Sequence, residues 1–277
     1  MNAEDIFRNA KPPFASSKEE NWEILQEKIP EYTPVRSYQK PQNLWLWAAA
    51  ASVLVICLSL WAANQYHESY YVPLAQQDTL YLPDSSQVIL RAGSRIAYQP
   101  IWWYVSREVQ FEGEAFFRVK RGSQFELRSQ AGITQVLGTR FQVNTFDGHY
   151  EVYCQEGRVG VRETEASELV EITFGERLSL EAGQVVKSQS SDSESLAWLQ
   201  QKFYFDHRPI RDVLAEMERS YDIKIQYEFT IEADLLLTAA FNKPEDPKSA
   251  LVIICQVFGL ELTQSGPSRF TLTAKAS

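Results

Sequence analysis

Hydrophobic and polar residues follow three different patterns in succession along the chain. Residues 44–63, LWLWAAAASVLVICLSLWAA, contain no charged residue. From about residue 78 to 189 apolar and polar residues alternate, the period of a β-strand with one buried face. After residue 202 short apolar runs alternate with stretches of helical period. The patterns predict a mixed fold: one apolar helix, an all-β domain and a small α+β domain.

The apolar stretch 44–63 has the properties of a transmembrane helix. A helix of this length extends about 30 Å, the thickness of a bilayer's hydrocarbon core. Trp45 and Trp47 lie at one end and Trp61 and Tyr66 at the other, as expected for side chains among lipid headgroups. A core helix would show a polar stripe, and a cleaved signal peptide would begin close to residue 1. Both alternatives fit the sequence less well.

Cations near this stretch predict its orientation. Lys28, Arg36 and Lys40 precede it, whereas neither Lys nor Arg occurs between residues 64 and 90. The positive-inside rule therefore places the N-terminus in the cytoplasm and the long C-terminal part outside, which in a bacterial inner membrane is the periplasm. The predicted domain order is a head (1–43), the membrane helix (44–63), a linker (64–77), the β domain (78–189), a second linker (190–202) and the α+β domain (203–277).

The head contains one helix candidate, Ser17–Ile29. Ser17 and Glu20 form a capping-box pattern, and Trp22, Leu25 and Ile29 recur at helical spacing on one face. One short amphipathic helix cannot bury its own apolar side. The pattern alone leaves two interpretations open: a frayed linker next to the membrane, or a helix that folds into a partner's groove with Trp22 as the anchor.

The alternating region and the C-terminal region predict different architectures. Turn signals interrupt the alternation at intervals close to eight to twelve residues, the spacing of a β-sandwich or a β-solenoid. The C-terminal region shows the order strand, helix, strand twice, about 38 residues apart. Pro209 is predicted at the first position of one helix, and Asp246 as the cap before Pro247 in the other. Two βαβ-like halves are therefore expected.

Composition argues against several functions. A net charge of −9 disfavours nucleic acid as a partner, and the sequence predicts neither a metal nor another cofactor. The three histidines are isolated, and no hydrolase, phosphate-loop or dinucleotide motif occurs. Glu112 and Glu114 flank Gly113 and are expected to be solvated turn carboxylates. Cys154 and Cys255 are expected to be buried free thiols rather than a disulfide.

Gly138-Thr139, in VLGTRFQV, is one place where self-cleavage chemistry fits. A Thr hydroxyl can attack the preceding carbonyl in an N→O acyl shift, and an unhindered Gly carbonyl favours that attack. Hydrolysis of the resulting ester would cut the chain. The simpler interpretation is a glycine bend in a strand followed by an ordinary strand residue, and the pair alone favours it.

Four sequence runs in one order resemble the periplasmic core of the FecR family. They are LPDSSQVILRAGSRIAY (82–98), REVQFEGEAFFRVKR (107–121), QVLGTRFQVNTF (135–146) and EVYCQEGRVGV (151–161). Residues 203–274 resemble the C-terminal domain of many FecR relatives, which is similar to the short N-terminal domain of secretins and TonB receptors (STN). Asp84-Ser85-Ser86 stands where the family has Asp-Gly-Ser, so a different turn type is expected there.

The resemblance implies a regulatory function. FecR relatives are single-pass regulators of extracytoplasmic-function sigma factors, controlled by a TonB-dependent outer-membrane receptor for an iron carrier or a glycan. Their cytoplasmic head holds the sigma factor away from RNA polymerase or, in some relatives, helps to activate it. This implies that Trp22, Leu25 and Ile29 bind the sigma factor. A membrane protease commonly releases the sigma factor, and some relatives self-cleave at a pair matching Gly138-Thr139.

Two other functions remain as alternatives. One is a membrane-tethered periplasmic scaffold or adhesion protein with an inert cytoplasmic tail. The other, a tethered hydrolase, lacks a catalytic constellation in the sequence.

Overall fold

The structure is a computed structural model that describes residues 17–28, 44–164, 168–181, 184–227 and 235–274. Internal contacts divide the chain into two units, residues 1–57 and 58–277. Helix α1 is Lys18–Lys28. Helix α2, Leu44–Gln65, begins in the first unit and ends in the second. Both predicted helices are therefore present, although Ile29 lies outside the described residues.

The N-terminus of α1 is capped as its sequence predicts. The Glu20 backbone N–H donates to Ser17 Oγ at 3.2 Å, and the Ser17 N–H donates to Glu20 Oε2 at 3.1 Å. This reciprocal pair satisfies two donors that would otherwise have no partner inside the helix. The capping box is therefore confirmed, and it explains why the helix begins where it does.

Helix α2 is long and apolar enough to cross a membrane, judged by its length and composition. Its 22 residues extend about 33 Å. Residues 45–65 are not buried against the rest of the described chain, unlike the residues of a core helix. These properties are compatible with a single membrane-spanning helix.

The β region is a sandwich of two seven-stranded sheets rather than a solenoid. The first sheet has the strand order β1-β4-β5-β7-β8-β11-β12, and the second has the order β14-β13-β10-β9-β6-β3-β2. In chain order, strands β1 to β14 are Glu68–Tyr71, Asp78–Tyr81, Gln87–Leu90, Arg95–Tyr98, Arg107–Glu112, Glu114–Arg118, Phe125–Arg128, Gly132–Val136, Arg140–Asn144, Glu151–Glu156, Arg158–Glu163, Val170–Thr173, Glu176–Glu181 and Gln184–Gln189.

One hydrophobic core lies between the two sheets. Alternate residues of most strands point into it, as the period of two predicts, whereas all residues of β14 are exposed. Phe117 of β6 contacts the rings of Phe111 and Phe141 at centroid distances of 5.4 and 5.1 Å, one from each sheet. These contacts identify the face of each sheet that lies inside the sandwich.

The sandwich has two ends, distinguished by the position of α2. Strand β1 begins at Glu68, shortly after α2 ends at Gln65, and Glu68 pairs with Tyr98 at the end of β4. By strand register, the β4–β5, β6–β7, β8–β9 and β12–β13 connections lie at this proximal end. The β3–β4, β5–β6 and β9–β10 connections lie at the opposite, distal end.

The segment after the sandwich is ordered against it. Residues 190–202, predicted as a linker, contain helix α3 (Asp192–Ser195) and a 3₁₀ turn (Ala197–Gln200). Leu196 and Trp198 pack with Phe116 and Tyr153. These contacts hold the segment against the second sheet, so the chain reaches the C-terminal domain along a defined path.

The C-terminal domain contains the predicted order of strand, helix and strand twice, but the strands of each repeat lie in different sheets. Strand β15 pairs with β17, and β16, β19 and β18 form a second sheet. The elements are β15 (Lys202–Pro209), α4 (Ile210–Tyr221), β16 (Lys224–Tyr227), β17 (Leu236–Asn242), α5 (Pro247–Phe258), β18 (Leu260–Gly266) and β19 (Arg269–Ala274).

The two helices of this domain begin differently. Asp246 caps α5 by accepting from the backbone N–H groups of Lys248 and Ser249, and Pro247 follows at the first helical position, as predicted. The prediction for Pro209 is wrong by one position. Pro209 still pairs with Leu236 as the last residue of β15, so the helix begins one residue later.

Candidate functional sites

Helix α1 presents apolar side chains to solvent. Trp22 is 61 % exposed, and Leu25, three residues later on the same face, is also exposed. Ile24 is 49 % exposed and lies about 200° around the helix from Trp22. An isolated helix of this length is marginally stable in water. The exposed apolar side chains of α1 therefore lie on more than one side of the helix, and the partner-binding role of Trp22, Leu25 and Ile29 stays a prediction.

Gly138 and Thr139 form the crossing between the two sheets at the proximal end, because β8 of the first sheet precedes them and β9 of the second follows. Thr139 is buried, and its hydroxyl donates to the Arg158 carbonyl oxygen at 2.9 Å. A groove of about 660 Å³ runs along this bend and is lined by both residues. The Thr139 hydroxyl is therefore held in place beside a space large enough for water.

A close backbone approach explains the glycine at position 138. A Cβ atom on Gly138 would lie 2.6 Å from Arg121 Cα, closer than real Cβ contacts. Hydrogen bonds hold the chain on both sides: the Gly122 N–H donates to the Leu137 oxygen at 2.9 Å, and the Val119 N–H donates to the Thr139 oxygen at 3.0 Å. The glycine bend predicted as the simpler interpretation is present.

The Asp84-Ser85-Ser86 turn is held by a buried arginine. Ser85 has φ of +63°, a left-handed conformation that glycine adopts without steric cost, so serine at this position does not require a different turn. Asp84 accepts from the Ser86 N–H at 2.9 Å and forms an ion pair with Arg107. Arg107 also donates to the Lys120 carbonyl oxygen at 3.0 Å, which ties this turn to the β6–β7 connection.

The junction between the distal end and the C-terminal domain contains a largely buried charge cluster. Arg91 Nη1 lies 2.6 Å from Glu114 Oε2, and Arg91 Nη2 lies 2.5 Å from Glu216 Oε1 on α4. Gln142 Nε2 donates to Glu114 Oε1 at 2.6 Å. Burial raises the pKa of Glu114, although the nearby guanidinium opposes the shift. Arg91 therefore links both parts of the chain.

Glu114 corrects a prediction. It was expected to be a solvated turn carboxylate like Glu112, which is exposed, but Glu114 is buried. Both of its main partners are distant in sequence: Arg91 precedes it by 23 residues and Gln142 follows by 28. A turn pattern around Gly113 carries no information about such partners. The alternating period places Glu114 on the face opposite Ala115 and Phe117, which is the outer face of the second sheet, and the pattern carries no signal that another part of the chain covers that face.

Further polar contacts surround this cluster. Arg219 Nη2 of α4 lies 3.0 Å from Asp147 Oδ2, and its guanidinium lies 4.1 Å from the centroid of the Phe146 ring. His149 Nε2 lies 3.0 Å from Asp212 Oδ2. Interfaces of this polar composition are typical of domains that move relative to each other. Sequence reasoning missed the junction because its pairs join residues 63 to 125 positions apart.

The remaining candidate chemistry is limited. Cys154 and Cys255 are buried free thiols, and burial raises the pKa of each to about 11, which disfavours the reactive thiolate. Among the residues that the structure describes, no group of three His, Cys, Asp or Glu side chains converges to hold a metal ion.

Comparisons with known proteins agree on one family. The family model described as FecR protein matches residues 69–160, and the model described as FecR, C-terminal, matches residues 202–268. Two crystal structures, at 2.50 and 1.65 Å, of a putative anti-sigma factor from Parabacteroides distasonis ATCC 8503 are similar to this chain. They share 25 % and 26 % identity with it, with TM-scores of 0.70 and 0.69.

In both cases the similarity covers 76 % of this chain and 100 % of the other. Among curated proteins, none matches the chain. The two family models together span more than half of the 277 residues. The chain therefore belongs to the FecR family of anti-sigma factors and is a regulator of a sigma factor.

Proposed function

We propose that this protein is a single-pass regulator of a bacterial inner membrane that relays a signal from a TonB-dependent outer-membrane receptor to an extracytoplasmic-function sigma factor. The observation that carries the proposal is the position of α2. One membrane-length helix separates a short N-terminal segment with an exposed apolar helix from the FecR-matched regions. Such an arrangement suits a protein that carries information between compartments.

The orientation follows from the distribution of cations. Lys28, Arg36 and Lys40 precede α2, and Arg91 is the first Lys or Arg after it. The positive-inside rule assigns residues 1–43 to the cytoplasm, where sigma factors act, and residues 64–277 to the periplasm. Within the second part, the β domain would comprise residues 68–189, because β1 (Glu68–Tyr71), in the segment predicted as a linker, pairs with β4. The STN-like domain would comprise residues 203–277.

The output step is binding of the sigma factor by α1. Trp22 and Leu25 would enter an apolar groove, and Ile29 would extend the same face by one turn. Truncation of a tryptophan anchor in such a groove to alanine weakens binding by about 2 kcal/mol or more. A bound head would keep the sigma factor away from RNA polymerase, and cleavage of the anchor by a membrane protease would release it.

The input step is binding of the receptor's signalling domain by the C-terminal domain. That domain contacts the distal end of the sandwich, the end away from α2, through Arg91 and Glu216. Strand β18 lies at one edge of its three-stranded sheet. An edge strand offers unpaired backbone groups to a partner strand, which is a common mode of recognition between small domains.

Self-cleavage between Gly138 and Thr139 would leave the sandwich assembled. Strand β8 pairs with β7 and β11, and β9 pairs with β6 and β10, so each side of the cut keeps two neighbouring strands. We therefore expect two fragments in denaturing gels and one species in native gels. Thr139→Ser keeps the hydroxyl and should still cleave, whereas Thr139→Ala should not. Identical full-length bands for wild type and Thr139→Ala would contradict cleavage.

The test of the output step is recovery of a sigma factor with the full chain in detergent. Trp22→Ala should weaken the complex about 30-fold, the equivalent of about 2 kcal/mol. Ile24→Ala is the matched control, because Ile24 is an exposed apolar residue of the same helix on the opposite face. Equal recovery with Trp22→Ala and wild type would contradict the proposed role of α1.

A further inference from the structure

The β4–β5 loop, residues 99–106, exposes apolar side chains at the proximal end of the sandwich. Tyr104 is 80 % exposed and Val105 is 81 % exposed, and the neighbouring Ile101 is exposed as well. Single exposed apolar residues are common on protein surfaces, but a cluster within one loop is typical of an interaction surface.

This loop has a defined conformation. Trp103 is completely buried and packs edge-to-face against Tyr98 and Phe125, with ring centroids 5.5 and 6.1 Å apart. The backbone N–H groups of Val105 and Ser106 both donate to the Trp102 carbonyl oxygen at 2.9 Å. Because Trp103 anchors the loop in the core and Trp102 is half-buried, the following residues, Tyr104 and Val105, are held facing outward.

The loop lies beside the point where α2 ends. Gln99, its first residue, donates from Nε2 to the Asn64 carbonyl oxygen in the last turn of α2 at 3.0 Å. The same Nε2 lies 2.8 Å from His67 Nε2. Strand β1 then begins at Glu68, whose partner is Tyr98. The short connection from Gln65 to Glu68 extends about 10 Å at most, so the proximal end cannot lie far from the end of α2.

We infer that the β4–β5 loop rests on the bilayer that α2 spans, with Tyr104 and Val105 in the headgroup region of the adjacent leaflet. This inference rests on the membrane-spanning role of α2 in the proposed function. Tyrosine suits this depth, because its ring is apolar and its hydroxyl remains hydrated. Trp61 and Tyr66, both exposed near the end of α2, would occupy the same layer.

Two other proximal connections also expose apolar side chains. Leu137 of the β8–β9 connection and Phe174 of the β12–β13 connection are exposed at the same end. A bilayer can cover apolar side chains of this kind without a shape-specific groove. The end of α2 places the proximal end of the sandwich next to the bilayer. The sandwich would then have two attachments to the membrane, which would fix its orientation and direct the C-terminal domain toward the periplasm.

The inference can be tested by photo-cross-linking with the full chain in nanodiscs of phosphatidylethanolamine and phosphatidylglycerol. A benzophenone amino acid would replace Tyr104, and separate samples would carry it at Leu54 in the middle of α2 or at Val257. Val257 is an exposed apolar position on α5 and serves as the control away from the membrane. Lipid adducts, detected by intact mass, are expected at Leu54 and Tyr104 and absent at Val257.

The outcomes distinguish the inference about the β4–β5 loop from the membrane-spanning role of α2. Adducts at Leu54 without adducts at Tyr104 would overturn the loop inference and leave the membrane span intact. Absence of adducts at Leu54 would overturn the span itself. Equal labelling at Tyr104 and Val257 would also overturn the loop inference. With the probe at Ile101, the double substitution Tyr104→Asp and Val105→Asp should abolish the adduct without changing thermal unfolding, because both side chains are exposed.

Discussion

Substitution of Arg91 tests how the C-terminal domain is held on the sandwich. Arg91→Met keeps most of the apolar volume of the side chain but removes the guanidinium that contacts Glu114 at 2.6 Å and Glu216 at 2.5 Å. Both carboxylates would remain at the junction without that cation. The substitution therefore affects the contact between the two parts more than the core of either.

The expected cost follows from the burial of the cluster. Removing one partner of a buried ion pair costs about 3–5 kcal/mol, because the remaining charge is left uncompensated. The side chains of Glu114 and Glu216 are 8 % and 15 % exposed, so some hydration survives and the lower value is expected. A change of about 3 kcal/mol lowers the equilibrium constant for docking by about two orders of magnitude.

Hydrogen exchange of the full chain in detergent measures this docking locally. In Arg91→Met, amides of α4 should lose about 3 kcal/mol of protection, whereas amides of β9 at the centre of the second sheet should change little. Arg140→Met is the control, because Arg140 forms an exposed ion pair with Glu156 at 3.1 Å. An exposed pair contributes about 0–1 kcal/mol. Equal, small effects of both substitutions would refute the reasoning.

Three further substitutions test other parts of the account. Ser85→Gly should stabilise the chain by about 0.5–1 kcal/mol in urea unfolding, because Ser85 has positive φ; destabilisation would contradict this explanation. Gly138→Ala should destabilise it by about 1–3 kcal/mol through the contact with Arg121, and an unchanged midpoint would exclude that contact. Burial raises the pKa of Glu114, so the folded chain binds the carboxyl proton of Glu114 more tightly than the unfolded chain does. Relative to Glu114→Gln, wild type should therefore lose stability as pH rises from about 4.5 through the folded-state pKa; a relative gain would contradict the shift.

Local features of the fold were predictable because they depend on neighbouring residues. The capping box at Ser17 and Glu20 and the cap at Asp246 involve groups within three positions of each other, and both are present. Alternation likewise predicted strands. Alternation did not identify which strands pair, which is why sandwich and solenoid remained alternatives. For example, β5 pairs in parallel with β7, whereas β6, which lies between them in the sequence, belongs to the other sheet.

Long-range features were not predictable in the same way. The pattern around Gly113 described a turn, but Arg91 and Gln142, which bury and pair Glu114, come from other strands and connections. The junction with α4 depends on Glu216, 125 residues from Arg91. The exposed face of Trp22 was predictable from helical spacing, and its partner stays a prediction because the docking groove belongs to another protein.

The central claim, that the chain carries a signal from the periplasm to a sigma factor, is tested most directly by transcription in cells. A reporter for the sigma factor should respond to the inducing nutrient with the full chain. A chain that stops after Gln201 should lose this response while the sigma factor still co-purifies with it. Replacement of residues 1–43 by an unrelated sequence should abolish both. A nutrient response that survives either change would contradict the relay. A response that survives replacement of residues 1–43 would favour a tethered scaffold.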